Sequence, residues 1–205
     1  MTILLHRGDL PNLSAYKGAV AIDTETMGLD PARDRLCVVQ LSPGDGSADI
    51  VQIAAGQTQA PNLQKLLADK SLLKIFHYGR FDIAVLFNAF GVMAEPVYCT
   101  KIASRLARTY TDKHGLKDLA KELLGVDLSK QQQSSDWGAD SLTDAQVAYA
   151  ATDVLHLHAL KDRLDAMLAR EDRGGLAAAC FKFLPDRVRL DLAGWAAEDI
   201  FSHSL

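Results

Sequence analysis

The sequence AVAIDTETMGLD, residues 19–30, joins four residues suited to a buried strand to a pair of carboxylates. In a strand, residues i and i+2 project from the same face, so Asp23 and Glu25 would present their oxygens side by side where the strand ends. Two unpaired carboxylates this close repel each other. Such a pair either lies exposed in a turn or shares a hard cation such as Mg²⁺ or Mn²⁺, whose positive charge removes the repulsion between the carboxylates. This stretch alone leaves both interpretations open.

The chain has 205 residues, 48% of them apolar and 23% charged, with a formal net charge of −4. These values predict a single globular domain over residues 1–205. Most proteins that bind long nucleic acids carry a basic excess, so any nucleic acid here must be held locally, by metal ions or by a basic patch such as residues 105–121.

No stretch of the sequence predicts secretion or membrane insertion. The first twelve residues lack the features of a secretion signal, and no apolar run approaches the roughly 20 residues that span a bilayer. The three cysteines are far apart and do not suggest a disulfide framework. We therefore expect a cytoplasmic protein with no membrane partner.

Periodicity predicts an α/β domain. The β-rich runs at 18–26, 35–43 and 48–53 predict a three-stranded antiparallel meander. A helix with Asn62 as candidate N-cap follows at 60–69, and a strand at 71–77 would add in parallel. Helical patterns continue at 80–90, 100–109 and 116–125, and one long helix is predicted over 141–168, capped by Ser141 or Thr143. The expected architecture is a mixed sheet flanked by helices.

Two more acids lie in mostly apolar helical segments. Asp82 is the only carboxylate in FHYGRFDIAVLF, residues 76–87, and stabilising the helix N-terminus is the alternative to a role in a site. Tyr149 and Asp153, in YAATD, are four residues apart and therefore lie on one helix face. An Asp on a closely packed face needs a counter-charge.

In their order and placement, IDTET, HYGRFD and YAATD resemble the three motifs of the DEDD superfamily of 3′–5′ exonucleases, in its tyrosine-containing subgroup. The resemblance covers nearly the whole chain and implies a ribonuclease H-like fold. It implies two divalent ions, Mg²⁺ or Mn²⁺, bound by Asp23, Glu25, Asp82 and Asp153. Tyr149 would orient the attacking water, so all five are candidate catalytic residues.

Residues 114–153 are similar to ribonuclease D, whose helical RNA-binding domains would find no room in 205 residues. DTETMGL and HYGRFD look like the nanoRNase C group of short exonucleases, which degrade very short oligoribonucleotides and form ring-like octamers. The resemblance implies a homo-octamer that releases 5′-mononucleotides from short oligoribonucleotides, dinucleotides among them. The alternatives are a ribonuclease D-like exonuclease on longer or structured RNA or on DNA ends, and a catalytically degenerate nucleic-acid-binding module.

Thr26, Leu29 and His77 are the candidate substrate contacts. By resemblance to oligoribonucleases, Leu29 matches an apolar wedge between two bases, whereas packing under the turn is the alternative. His77 either contacts the scissile strand or is a histidine satisfied within the fold. The apolar content of the C-terminal segment, about residues 184–205, predicts packing on the core or on a neighbouring subunit.

Overall fold

The computed structural model describes residues 2–129 and 131–203, which form one mixed sheet with helices on both faces. The strands are β1 (Thr2–Arg7), β2 (Ala19–Thr26), β3 (Leu36–Ser42), β4 (Ser47–Gln52), β5 (Leu73–Phe76) and β6 (Val97–Cys99). The helices are α1 (Pro61–Ala68), α2 (Gly79–Phe90), α3 (Thr100–Ala107), α4 (Leu116–Leu119), α5 (Asp144–Leu155), α6 (Leu157–Arg170) and α7 (Gly174–Leu190). A π-helical turn extends α4 over Ala120–Leu124, and another follows α7 over Asp191–Trp195.

The strand order is β1-β4-β3-β2-β5-β6. The antiparallel meander of β2, β3 and β4 and the parallel addition of β5 to β2 confirm the prediction. Two strands were missed: β1, parallel to β4, and β6, parallel to β5. β1 is a largely exposed edge strand and β6 has only three residues, so neither carries a strong periodic signal.

Alternation along β2 divides its side chains between two cores. Val20 and Ile22 pack in the core that also contains residues of α1, α2 and α7. Ala21 belongs to the opposite core, with Ala150 and Ala151 of α5. By the same alternation, Asp23 and Glu25 face α5, whereas Thr24 faces α2. The small alanines let α5 approach the sheet closely.

Several helix ends were predicted correctly. Gly91 ends α2 with φ 68° and Gly125 ends the turn after α4 with φ 71°, a left-handed conformation that glycine adopts without strain. Thr143 caps α5 in a capping box with Gln146. The prediction of one long helix was wrong, because a turn at His156 (φ −105°, ψ −5°) separates α5 from α6.

The predicted cap of α1 was also wrong. Asn62 does not cap the helix; its Nδ2 donates to Leu10 O at 2.7 Å. The backbone N–H groups of Asn62 and Leu63 donate instead to the Asp9 carboxylate, at 2.8 and 3.0 Å. A residue more than fifty positions upstream therefore satisfies the first turn, which no local pattern reveals.

The C-terminal segment divides into a buried and an exposed part. Leu184 and Val188 are buried in the core beside α2, whereas Trp195, Ile200 and Phe201 are exposed. Packing of the exposed part on a neighbouring subunit stays a prediction. None of the helices that the structure describes is long and apolar enough to cross a membrane.

Candidate active site

Three carboxylates meet where β2 ends. Asp23 and Glu25 lie in the C-terminal half of this strand, and Asp153 comes from α5, which packs over the same face. One oxygen from each lies within 4.8 Å of the others, and all three residues are half-buried. The strand spacing and the packing of α5 therefore produce a compact cluster of oxygen ligands.

Asp82, in the first turn of α2, is not a member of the three-oxygen cluster. It is only 3% exposed, and Thr24 Oγ1 donates to its Oδ1 at 2.7 Å. Thr24 is the residue between the two β2 acids, and its opposite orientation along the strand puts it against α2. The function of Thr24 in holding Asp82 was missed in the sequence, although the alternation of the strand could have indicated it.

Tyr149 lies one turn before Asp153 on α5, as predicted. Its ring packs against Trp137, with centroids 6.1 Å apart, and Trp137 is itself buried. Burial and the nearby charges of Asp153, Glu25 and Asp23 raise the pKa of the Tyr149 phenol. The phenol therefore keeps its proton at neutral pH and can donate a hydrogen bond, but it is a poor base.

The acids strongly disfavour one another's ionised forms. Burial, and then the charges of Asp82, Asp153 and Glu25, raise the pKa of Asp23 well above its usual range. Burial together with the neighbouring aspartates raises the pKa of Glu25 to about 9. Burial raises the pKa of Asp82 to about 7, although a hydrogen bond from Thr24 lowers it. Burial likewise raises the pKa of Asp153 to about 7, although a hydrogen bond from Tyr149 lowers it.

No cationic side chain relieves this repulsion. Within residues 2–129 and 131–203, none of these four carboxylates forms an ion pair with a Lys, Arg or His side chain. Clustered carboxylate oxygens without a protein counter-charge are the donor set that Mg²⁺ and Mn²⁺ prefer. The residues present therefore fit a divalent cation.

A cleft of about 360 Å³ opens over the acids and contains the three candidate substrate contacts. Leu29 is 90% exposed, so the alternative that it packs under the turn was wrong. Thr26 donates its hydroxyl to Gly28 O, which fixes the start of the loop that carries Leu29. Their contact with substrate stays a prediction.

His77 lines the same cleft as a neutral imidazole. Burial and the nearby Lys101 charge lower the pKa of His77 to about 3. Its Nδ1 lies 2.9 Å from Thr100 Oγ1, and that hydroxyl donates to Phe76 O at 3.2 Å. The network therefore assigns the proton to Nδ1 and leaves Nε2 as an acceptor.

Other cleft residues were not singled out from the sequence. They are Tyr78, Phe81, Lys101, Gly115, Leu116, Leu128 and Ser129. Lys117 and Gln133, which belong to the predicted basic patch and the 131–137 loop, also line it. Arg108 of that patch is instead fully buried, where it pairs with Glu122 and donates to Lys113 O at 2.7 Å.

Comparison with known proteins identifies the family. A family model described as 3′–5′ exonuclease matches residues 9–169, which is most of the chain. The chain belongs to this 3′–5′ exonuclease family. Within it, the relatives confirm the predicted ribonuclease D-like and nanoRNase C group and the ribonuclease H-like fold.

Three solved structures are similar to this chain, over different shares of their own length. Brucella melitensis NrnC with bound Mg²⁺ is 64% identical with a TM-score of 0.96, and both chains are covered completely. Brucella melitensis NrnC bound to pGG is 65% identical, again over both whole chains, with a TM-score of 0.97. Escherichia coli RNase D, a solved exoribonuclease, is 27% identical with a TM-score of 0.75, over 84% of this chain and 45% of that one.

Among curated relatives, ribonuclease D of Granulibacter bethesdensis is 37% identical over 154 residues, 75% of this chain. The chain spans only 38% of that relative, and 42% of the ribonuclease D of Gluconacetobacter diazotrophicus. The similarity covers only the shared exonuclease region. It therefore assigns to this chain none of the activities that the rest of these longer proteins provides.

Proposed function

We propose that this chain is a metal-dependent 3′–5′ exoribonuclease that releases 5′-mononucleotides from short oligoribonucleotides, dinucleotides among them. The observation that carries the proposal is the cluster of Asp23, Glu25 and Asp153 oxygens within 4.8 Å at the base of a cleft. A binding module without catalysis would gain nothing from carboxylates that disfavour one another's charge. Membership of the exonuclease family supports the same function.

Asp23, Glu25 and Asp153 would hold the cations, and Asp82, whose charge acts on Asp23 and Glu25, would support them. Divalent ions held there would make a bound water more acidic and would stabilise the leaving oxygen. Ionisation of all four acids is unfavourable in the metal-free protein, so cation binding and loss of their protons are coupled. We propose two ions, Mg²⁺ or Mn²⁺.

Tyr149 would orient the attacking water. Its phenol keeps its proton at neutral pH, and its ring is positioned by Trp137. A fixed donor beside Asp153 can hold a water molecule in line with the scissile phosphorus. Positioning of this kind costs the reaction no reorganisation at the moment of attack.

His77 and Leu29 would recognise a short RNA. The free Nε2 of neutral His77 can accept a hydrogen bond from a ribose hydroxyl, a group that DNA lacks at the 2′ position. Leu29, exposed at the cleft, can insert between two bases. The complex of the similar Brucella melitensis NrnC with pGG supports a dinucleotide as substrate.

The test is turnover of 5′-labelled RNAs of two to ten nucleotides with Mg²⁺, with Mn²⁺ or with chelator. We expect metal-dependent release of mononucleotides from the 3′ end, fastest for the shortest RNAs. Asp153→Asn should abolish turnover, whereas Asp162→Asn, the same change at an exposed acid of α6, should preserve it. Hydrolysis that survives chelation or Asp153→Asn would contradict the proposal, and preference for the longest RNAs would favour a ribonuclease D-like substrate.

A further inference from the structure

The segment that leads into α5, residues 135–143, contains neither helix nor strand. Its backbone therefore lacks the repeated hydrogen bonds of regular structure, and its conformation depends on other partners. Side chains supply them, because three carbonyl groups in residues 136–139 accept a side-chain hydrogen bond. These are the carbonyls of Asp136, Gly138 and Ala139. We call residues 136–139 the anchored segment.

The three donors come from three different parts of the fold. In the order of the carbonyls, they are Gln146 Nε2 of α5 at 3.1 Å, Arg35 Nη2 directly before β3 at 3.1 Å, and Gln52 Nε2, in the last residue of β4, at 2.8 Å. The anchored segment is therefore tied both to the helix that carries Tyr149 and to the sheet on which that helix packs.

Trp137 lies between the anchored carbonyls. It is 3% exposed, and its ring centroid is 6.1 Å from that of Tyr149. The hydrogen bonds on both sides of Trp137 fix its backbone, so the ring against which Tyr149 packs is held in one place. A catalytic group displaced by about 1 Å can lose about 100-fold in rate. The anchors can therefore affect catalysis without contacting the substrate.

Gln52 is the anchor that makes no other side-chain hydrogen bond. Its Oε1 has no partner among the described residues. Gln146 also completes the capping box of α5, and Arg35 also donates to Leu36 O and Ile53 O, both at 3.3 Å. Gln52 does not line the cleft, and its backbone is held in β4 between β1 and β3. Replacing its amide therefore removes a single hydrogen bond from a rigid strand to the anchored segment.

We infer that Gln52 is a positioning residue for Tyr149. It holds Ala139, the anchored segment holds Trp137, and the Trp137 ring holds the Tyr149 ring. This inference rests on the proposed function, in which the Tyr149 phenol orients the attacking water. Because Gln52 contacts neither the cleft nor the three-oxygen cluster, its loss should slow the reaction and leave substrate and cation binding unchanged.

Gln52→Met tests the inference, because it removes the donor and keeps an unbranched side chain of similar length. The kcat for a dinucleotide should fall about fivefold, which corresponds to about 1 kcal/mol, the contribution of one hydrogen bond. KM and the Mg²⁺ affinity measured by calorimetry should not change. The matched control is Gln64→Met on α1, which removes a donor to Phe90 O at 3.1 Å and should leave kcat unchanged.

A double-mutant cycle with Tyr149→Phe separates positioning of the phenol from a general structural effect. Tyr149→Phe keeps the ring that packs on Trp137 and removes the hydroxyl. If Gln52 acts through that hydroxyl, Gln52→Met should not lower kcat further in the Tyr149→Phe protein. The same fall of kcat in both backgrounds would overturn the inference. An unchanged kcat in Gln52→Met alone, or a rise in KM without a fall in kcat, would also overturn it.

Tryptophan fluorescence tests the same contact without RNA. The chain contains two tryptophans, so Trp195→Phe leaves Trp137 as the only one. In that protein, Gln52→Met should increase the quenching of Trp137 by acrylamide, because the anchored segment is released, whereas Gln64→Met should not. Equal quenching with and without Gln52→Met would overturn the inference. If the unmodified protein hydrolyses no RNA, the proposed function fails, and the quenching still decides whether Gln52 holds Trp137.

Discussion

Replacing Thr24 by Val removes the hydroxyl that donates to buried Asp82 while keeping the side-chain shape. The bond is 2.7 Å long and both residues are buried. A hydrogen bond to a charged group contributes roughly 1.5–3 kcal/mol, against roughly 0.5–1.5 kcal/mol for a neutral pair. Because the pKa of Asp82 is about 7, the carboxyl is neutral at pH 5 and ionised at pH 8.5. The cost of Thr24→Val should therefore rise from about 1 to about 2 kcal/mol or more between these pH values.

Urea unfolding at both pH values, with chelator present, measures this difference. Thr24→Ser is the matched control: it keeps the hydroxyl and removes one methyl group, which costs about 0.8 kcal/mol at either pH. A cost of Thr24→Val that does not change with pH would refute the reasoning, because the hydroxyl would then not stabilise the ionised carboxylate. The same change with pH in the free energies of unfolding of Thr24→Val and Thr24→Ser would refute it as well.

Three further outcomes are expected. Tyr149→Phe should lower kcat about 100-fold or more with little change in cation affinity measured by calorimetry, and retained turnover would exclude Tyr149 from the reaction. In the chelated protein, the folded state keeps the Glu25 proton that the unfolded chain releases near pH 4.5, so the free energy of unfolding should fall from pH 5 to about 9. Urea unfolding measures this fall, and added Mg²⁺ should reduce it. A free energy of unfolding that does not change with pH would contradict the prediction. Gly138→Ala would place a Cβ 2.2 Å from Met27 Sδ. Because the flexible, half-exposed Met27 side chain can move aside, the free energy of unfolding in urea should fall by about 1 kcal/mol or less, and a larger loss would contradict this reasoning.

Local patterns determined much of the candidate site. The two-residue spacing of Asp23 and Glu25 and the four-residue spacing of Tyr149 and Asp153 each put two side chains on one face, whatever the rest of the fold does. The meander and the helix ends at Gly91 and Gly125 were equally local, since turn chemistry and periodicity act over a few residues.

Other features depended on contacts between distant segments. His156 interrupts a helix whose periodicity continues through it, and Asp9 replaces Asn62 as the partner of the first turn of α1. Arg108 belongs by sequence to a candidate basic patch, yet it is fully buried because Glu122 and a backbone carbonyl satisfy its guanidinium group.

The sequence by itself determined which acids, which tyrosine and which strand end could form a site, because alternation and helical spacing are properties of neighbouring residues. Only the tertiary structure decided that the Thr24 hydroxyl holds Asp82 and that Leu29 is exposed at the cleft. The physical reason is that these contacts join residues far apart in the chain, and their geometry is set by the packing of whole helices on the sheet.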